Sequence, residues 1–281
     1  LLQHALLEVL DKSGTRLLFD SPINAMHREN NQYRLDAGAA GMLRADLVVG
    51  ADGVQSFVRN SVGIETRERP YGQSAFVTHL EPELPHRNTA WQRFLADGPL
   101  GMLPLSDGRI SVVWSTTEGS VVQALAAGDD ELGELLTSAS DDVLGELTVA
   151  GPRGAFPLCA RHAEHYVMPG VALIGDAAHA IHPLAGQGAN LGLQDAATLA
   201  GVIDAAIAAG EHPGDRPVLR RYERARKGAN ATMLHFMTGL NRLFTTDSAL
   251  VRDLRTTGMQ LFNNSGPVRE YMVGVALGAG R

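Results

Sequence analysis

Residues 171 to 195 constrain the fold more than any other stretch of this chain. Val171, Ala172, Leu173 and Ile174 form a short apolar run suited to a sheet interior, and Gly175 lets the backbone leave it sharply. Asp176 is thereby delivered to the carboxyl end of a strand, where open α/β sheets hold their ligands. Gly186 and Gly188 then flank Gln187, a main chain bare enough for a flat molecule to approach. Asn190 is read as opening a helix, whose first N–H groups can donate to a carbonyl or an anion. An ordinary strand–loop–helix corner would explain Gly175 and one later glycine; the whole run reads as a ligand cradle.

A second segment has the same logic. Leu47 to Val49 reads as a buried strand, Gly50 and Gly53 free the backbone to turn, and Asp52 stands at the strand end with Ser56 and Arg59 just beyond. Gly175-Asp-Ala-Ala-His179, continued by Pro183-Leu-Ala-Gly-Gln-Gly-Ala-Asn-Leu-Gly-Leu-Gln-Asp-Ala196, closely resembles the second FAD-binding motif of the class A flavoprotein monooxygenases. The string Asp46 to Arg59 resembles their Asp-Gly motif. The resemblance implies that Gly175 and Asp176 serve the ribityl and pyrophosphate region of FAD. It lays Pro183, Gly186, Gln187, Gly188, Ala189 and Asn190 against the isoalloxazine. Asp52, Gly53 and Arg59 are implied to support FAD and a nicotinamide donor, NADH or NADPH, near the pyrophosphate, with Gln3 helping on the flavin side.

No Gly-x-Gly-x-x-Gly occurs, although the family opens with that phosphate-binding fingerprint. The chain begins Leu-Leu-Gln-His inside what reads as a helix. The expectation is therefore an N-terminally truncated chain without the first βαβ unit, inactive alone and holding FAD weakly. A net charge of −7 argues against nucleic acid as a partner. One cysteine, Cys159, excludes an internal disulfide and a cysteine metal cluster, pointing to the cytoplasm. No apolar run reaches the roughly 20 residues of a spanning helix.

The expected fold class is α/β, a Rossmann-like FAD-binding domain with an inserted mixed β-sheet substrate domain and a C-terminal helical region. Residues 1–66 read as the partial FAD-binding domain, 67–160 as the substrate domain, 161–212 as the returning FAD-binding part and 213–281 as the helical region. Residues 1 to 12 and 121 to 126 read as helical, as do 130 to 138. Strands are expected at Arg16–Phe19, Ile23–His27, Gln32–Asp36 and Gly41–Arg44, then at Ser74–His79, Ala90–Leu95, Leu100–Leu103, Arg109–Ser115 and Gly154–Arg161. The apolar stripe Leu191, Ala196, Leu199, Val202, Ile203 and Ile207 marks one helix, and Arg216 to about Phe244 a second.

The hairpin Ala90 to Trp114, with its Gly-Pro turn, Leu-Pro-Leu and Val-Trp strand, resembles that of the ubiquinone-biosynthesis hydroxylases, as do Tyr222-Glu-Arg-Ala-Arg226 and the amphipathic segments Leu250–Arg255 and Pro267–Ala276. In that family a glutamate precedes the phenylalanine where Gln92-Arg93 stands here. The resemblance implies an enzyme that uses FAD, NAD(P)H and dioxygen to hydroxylate a polyprenylated phenol or benzoquinol. Trp91, Phe94, Met102 and Trp114 are large apolar residues of core or ring-contact type. A peripheral contact with the inner membrane face, a quinone-biosynthesis protein complex and a homodimer are the associations left open. The basic run Arg220, Arg221, Arg224, Arg226 and Lys227 is read as a solvated face, with anionic lipid or an acidic partner as the alternative. His182 beside the flavin loop is the candidate acid–base residue; His179 and His182 lack the further ligands of a metal site. A hydroxylase of a soluble aromatic acid, an isoprenoid reductase and a non-catalytic scaffold are the rival readings.

Overall fold

The computed structural model describes residues 2–246 and, beyond them, 257–270 apart from 259, 263 and 268. Leu250–Arg255 and most of Pro267–Ala276 lie outside the described residues. Helix α1 (Leu2–Lys12) leads to a three-stranded antiparallel meander of β1 (Ala25–Glu29), β2 (Gln32–Asp36) and β3 (Met42–Ala45). Its alternation buries Met26, Tyr33 and Leu35 on one face. Arg16–Phe19, expected as a strand, forms none: Phe19 is exposed, and β propensity without a partner strand makes no ladder. β1 also starts two residues later than expected.

Strand β4 (Val48–Gly50) precedes α2 (Phe57–Ser61), whose first turn is capped by the Ser56 hydroxyl accepting from Arg59 N at 3.0 Å. The chain then enters β5 (Thr66–Pro82), followed by β6 (Trp91–Leu95), β7 (Gly98–Pro104) and β8 (Ile110–Thr116). Two helices follow, α3 (Glu118–Ala126) and α4 (Asp129–Ala139), the latter with Asp129, Asp130 and Glu131 in its first turn, where the helix dipole favours them. β9 (Leu147–Val149) and β10 (Gly154–Ala163) complete the excursion. Short strands β11 (Val167–Met168), β12 (Val171–Leu173) and β13 (His179–Ala180) come before the long helices α5 (Gln187–Ala208) and α6 (Arg216–Thr245).

The largest sheet has seven strands in the order β13-β10-β5-β8-β7-β6, with β9 beside β5, and all its ladders are antiparallel. β5 is far longer than the six residues expected because it continues through Pro70, and the ladder with β10 shifts register between Pro157 and Cys159 to absorb the irregularity. Its core holds Phe76, Leu80, Leu100, Met102, Trp114, Leu132 and Leu136. A separate core gathers Met26, Tyr33, Val58, Tyr166, Leu173, Leu199, Leu219 and Tyr222 around the small sheet β11-β12-β4. α5 is long and apolar enough by composition to cross a bilayer, with mean hydropathy 1.3, although no unbroken apolar run was expected. Its alanines raise that mean while Asp195 and Asp204 interrupt the run; Leu191, Asp195, Leu199 and Ala206 are buried, whereas Ile207 of the expected stripe is exposed.

Candidate cofactor site

The site begins with the pairing of two short strands. β12 runs parallel to β4 with Val171 opposite Val48 and Leu173 opposite Gly50, and Ile174 N extends the ladder by donating to Gly50 O at 3.0 Å. Both strands therefore release their chains at the same edge. Beyond β4, Asp52 is exposed, its Oδ2 accepting from Val58 N at 3.0 Å, and Gly53 turns the chain at φ +81°. Beyond β12, Gly175 adopts φ +56° and opens a single 3₁₀ turn that presents Asp176. Asp176 is exposed, and its carboxylate has no partner among the described residues. Arg59 braces the two turns. It is buried, donating from Nη1 to Ala177 O at 3.0 Å and from Nη2 to Val54 O at 2.9 Å.

A second carboxylate holds the Gly175 turn from behind. Asp195 of α5 is fully buried and accepts four hydrogen bonds: from Gly175 N at 3.1 Å, His179 Nε2 at 2.5 Å, Arg226 Nε at 2.7 Å and Asn230 Nδ2 at 3.0 Å. Burial alone would raise its pKa, but the bonds from His179, Arg226 and Asn230 outweigh that and hold it below the ordinary carboxylate range. Close packing makes this reach possible: a Cβ on Gly192 would sit 3.3 Å from the Gly175 Cα. The Tyr222-Glu-x-x-Arg226 signature of α6 finds its purpose here. Tyr222 OH donates to Leu173 O at 2.7 Å, Glu223 accepts from Tyr166 N at 2.8 Å, and Arg226 engages Asp195. Asp195 was not singled out from the sequence; the signature arginine was the available signal.

The glycine loop forms the third wall. His182 is fully buried, its Nε2 lies 3.2 Å from Gln73 Oε1, and its Nδ1 has no hydrogen-bond partner among the described residues. Burial lowers its pKa to about 4, so the ring is neutral at physiological pH. Pro183–Ala185 forms a 3₁₀ turn, and Gly186 at φ +60° is the residue from which α5 starts. The helix thus opens at Gln187, not Asn190; Gln187, Gly188, Ala189 and Asn190 all lie in its first turn. A Cβ placed on Gly186 or Gly188 would meet nothing within 4 Å, so the backbone borders open space. Gln3 is exposed on α1.

Facing this loop is a cleft of about 390 Å³ lined by Trp91, Leu103 and Val113 from the sheet and by Pro183, Leu184 and Gly186. Gln92 joins the two walls by donating to Leu184 O at 2.9 Å. Of the four large hairpin residues, Trp91 alone lines the cleft; Phe94 stacks on Phe244 at 3.8 Å, and Met102 and Trp114 are buried in the sheet core. Among the described residues no three His, Cys, Asp or Glu side chains gather as a metal site requires.

Residues 1–237 match the FAD binding domain family. The chain belongs to that family. It is 37% identical over 279 residues to the ubiquinone hydroxylase UbiL of Rhodospirillum rubrum, covering 99% of this chain and 65% of that protein. With the 3-demethoxyubiquinol 3-hydroxylase of Escherichia coli it shares 35% over 278 residues, 99% of this chain and 71% of the relative. The human ubiquinone biosynthesis monooxygenase COQ6 is 36% identical over 273 residues, 85% of this chain and 58% of its own length. The chain thus spans between 58% and 71% of these three relatives. Among solved structures, PqsL of P. aeruginosa in complex with 2-aminobenzoylacetate superposes with a TM-score of 0.75 at 26% identity, covering 87% of this chain and 69% of PqsL. p-Nitrophenol 4-monooxygenase PnpA of Pseudomonas putida shares the fold, with a TM-score of 0.76 at 19% identity over 99% of this chain and 71% of PnpA. The residues present fit FAD: an unpartnered carboxylate at a strand end, a second beside it, and a glycine backbone bordering open space are what its polar chain and flat ring need.

Proposed function

We propose that the protein is a FAD-dependent aromatic hydroxylase of ubiquinone biosynthesis that takes electrons from NADH or NADPH and places one oxygen atom of dioxygen on a polyprenylated phenol or benzoquinol. The observation that carries the reading is the parallel β4–β12 pair, which brings Asp52 and Asp176 to one edge beside a bare glycine loop and an apolar cleft. The names of the relatives support the substrate class.

In this reading Asp176 and Gly175 hold the ribityl and pyrophosphate region, and Asp52 and Gly53 support FAD and the nicotinamide donor near the pyrophosphate. The backbone of Pro183, Gly186, Gln187, Gly188, Ala189 and Asn190 lies along the ring, with Gln3 on the flavin side. Arg59 acts through the two turns it braces. Bound FAD supplies the redox chemistry and the activation of dioxygen. The chain's own residues orient the substrate and exclude water. Trp91, Leu103 and Val113 form one wall for an aromatic ring, and Leu184 the other. His182 beside the loop is the acid–base residue of this reading, although burial makes its ring a weak base. The same reading puts the protein in the cytoplasm with a peripheral contact at the inner membrane face, in a quinone-biosynthesis complex or as a homodimer.

The deciding assay is turnover by the product of the complete gene. NAD(P)H oxidation coupled to gain of one oxygen atom by a prenylphenol, and not by a soluble hydroxybenzoate, supports the reading; the reverse preference replaces it with a soluble-aromatic hydroxylase. Gly188→Val sharpens the test. The space around residue 188 accepts a side chain without touching the fold, so loss of FAD binding with unchanged melting places the ring there.

A further inference from the structure

The basic run at the start of α6 divides into two sets. Arg226 faces inward to Asp195, Arg221 makes a two-pronged pair with Glu211 at 2.6 Å on both prongs, and Lys227 bonds to Glu164 O. Arg216, Arg220 and Arg224 do none of this: all three are exposed and make no ion pair among the described residues. They recur every fourth residue, so their side chains stand in one row with a spacing of about 6 Å along the helix. With Pro217 and Arg221 they line an open cleft of about 450 Å³. Like charges four residues apart repel, and cations in the first turns of a helix oppose its dipole. This row therefore works against α6 while the chain as a whole carries a net charge of −7.

We propose that Arg216, Arg220 and Arg224 form a docking row for the phosphates of an anionic phospholipid surface. Guanidinium groups pair with phosphate through two parallel N–H donors, and a straight row of them matches a planar array of headgroups. A protein partner would call for an apolar or aromatic centre, and Pro217 is the one apolar residue lining this cleft. The proposal rests on the functional reading above in one respect: a polyprenylated substrate keeps its tail in the bilayer, and a docked enzyme meets it there.

The test is co-sedimentation of the product of the complete gene with vesicles of phosphatidylglycerol and phosphatidylcholine, or of phosphatidylcholine alone. The expected result is binding to the anionic vesicles only, abolished at 1 M salt, where the Debye length is about 3 Å. At about fivefold per arginine, the triple variant Arg216→Gln, Arg220→Gln, Arg224→Gln should lower the partition about a hundredfold. The triple lysine variant should stay within a few fold of wild type. Equal binding by the glutamine variant, equal binding to neutral vesicles, or capture of an acidic protein by a wild-type chain that ignores vesicles overturns the proposal. FAD titration and hydroxylation of a short-chain, water-soluble prenylphenol are run on the same preparations. Intact hydroxylation with failed docking removes the row alone, whereas vesicle binding without hydroxylation removes the functional reading alone.

Discussion

The parallel corner and the antiparallel sheet bury different kinds of groups. Around β4 and β12 the interior is threaded with polar side chains, Ser56, Arg59, His179, Asp195, Arg226 and Asn230, each with a partner. Across β5, β7 and β8 the core is Phe76, Leu80, Leu100, Met102, Ile110, Val112 and Trp114, and the polar side chains buried on those strands, Gln73, Thr78, Ser115 and Thr116, are all uncharged. Strand ends that must present a ligand-binding turn expose backbone groups that need bracing, and side chains do that work in the corner. A wall needs only shape, which apolar packing supplies. Removing a polar group should therefore cost most in the corner, and trimming the sheet should act mainly on substrate.

The largest expected effect is on Asp195. Asp195→Ala leaves Arg226 buried without its counter-charge and His179 without its hydrogen-bond acceptor, and should destabilise the fold by about 3–5 kcal/mol, read by urea denaturation. A loss under about 1 kcal/mol would show that the corner is not held by charge. Acid should come next. His182 has a folded pKa of about 4 against 6.5 when unfolded, so the unfolded chain takes up the proton first as pH falls. Its contribution is complete above about pH 6.5 and drains away toward pH 4, on the order of 3 kcal/mol in all. Melting temperatures measured across that window should fall, and His182→Asn should flatten the slope even if it lowers every value. A slope unchanged by the substitution would assign the acid loss to other groups.

Asp176→Ala separates binding from stability. Its carboxylate has no hydrogen-bond or ion-pair partner among the described residues, so melting should stay within about 0.5 kcal/mol of wild type, while FAD affinity falls by about 1.5–3 kcal/mol. Unchanged flavin titration would take Asp176 out of the site. Trp91→Ala should be mildest, raising KM for an aromatic substrate by about 1 kcal/mol with kcat and FAD binding intact, because it trims one wall of the cleft.

Local pattern carried the elements far and the bracing hardly at all. Gln32–Asp36 appears as read, and the Val-Val-Gly and Val-Ala-Leu strands lie within one residue of expectation, since apolar runs ended by glycine leave few choices. Arg16–Phe19 misled because its residue types suit a strand that no neighbour pairs. Asp176 stood out through the motif it belongs to, whereas Asp195 did not: only the packing of α6 brings Arg226, 31 positions along the chain, against it. Arg59 is a similar case: a terminal motif arginine invites assignment to a phosphate, yet two of its nitrogens are taken by turn carbonyls. The cleft was legible as a sheet face, but its lining was not: Trp91 lies opposite buried Met102, so register alone assigns it to the core face, and it reaches the cleft only because β6 is the edge strand.

The brace from Arg59 to Ala177 joins positions 118 apart in the chain, with the whole seven-stranded sheet between them except β13. Closing so long a loop by itself is entropically costly, and contacts of that separation form slowly. The intervening sheet shortens the effective loop once it has folded, since β5 and β10 lie side by side. The two halves of the cofactor corner are therefore expected to join only after that sheet has folded. A chain still emerging from synthesis has its Asp52 turn long before it has the Asp176 turn, and the corner closes only once α5 and α6 have also emerged to supply Asp195 and Arg226.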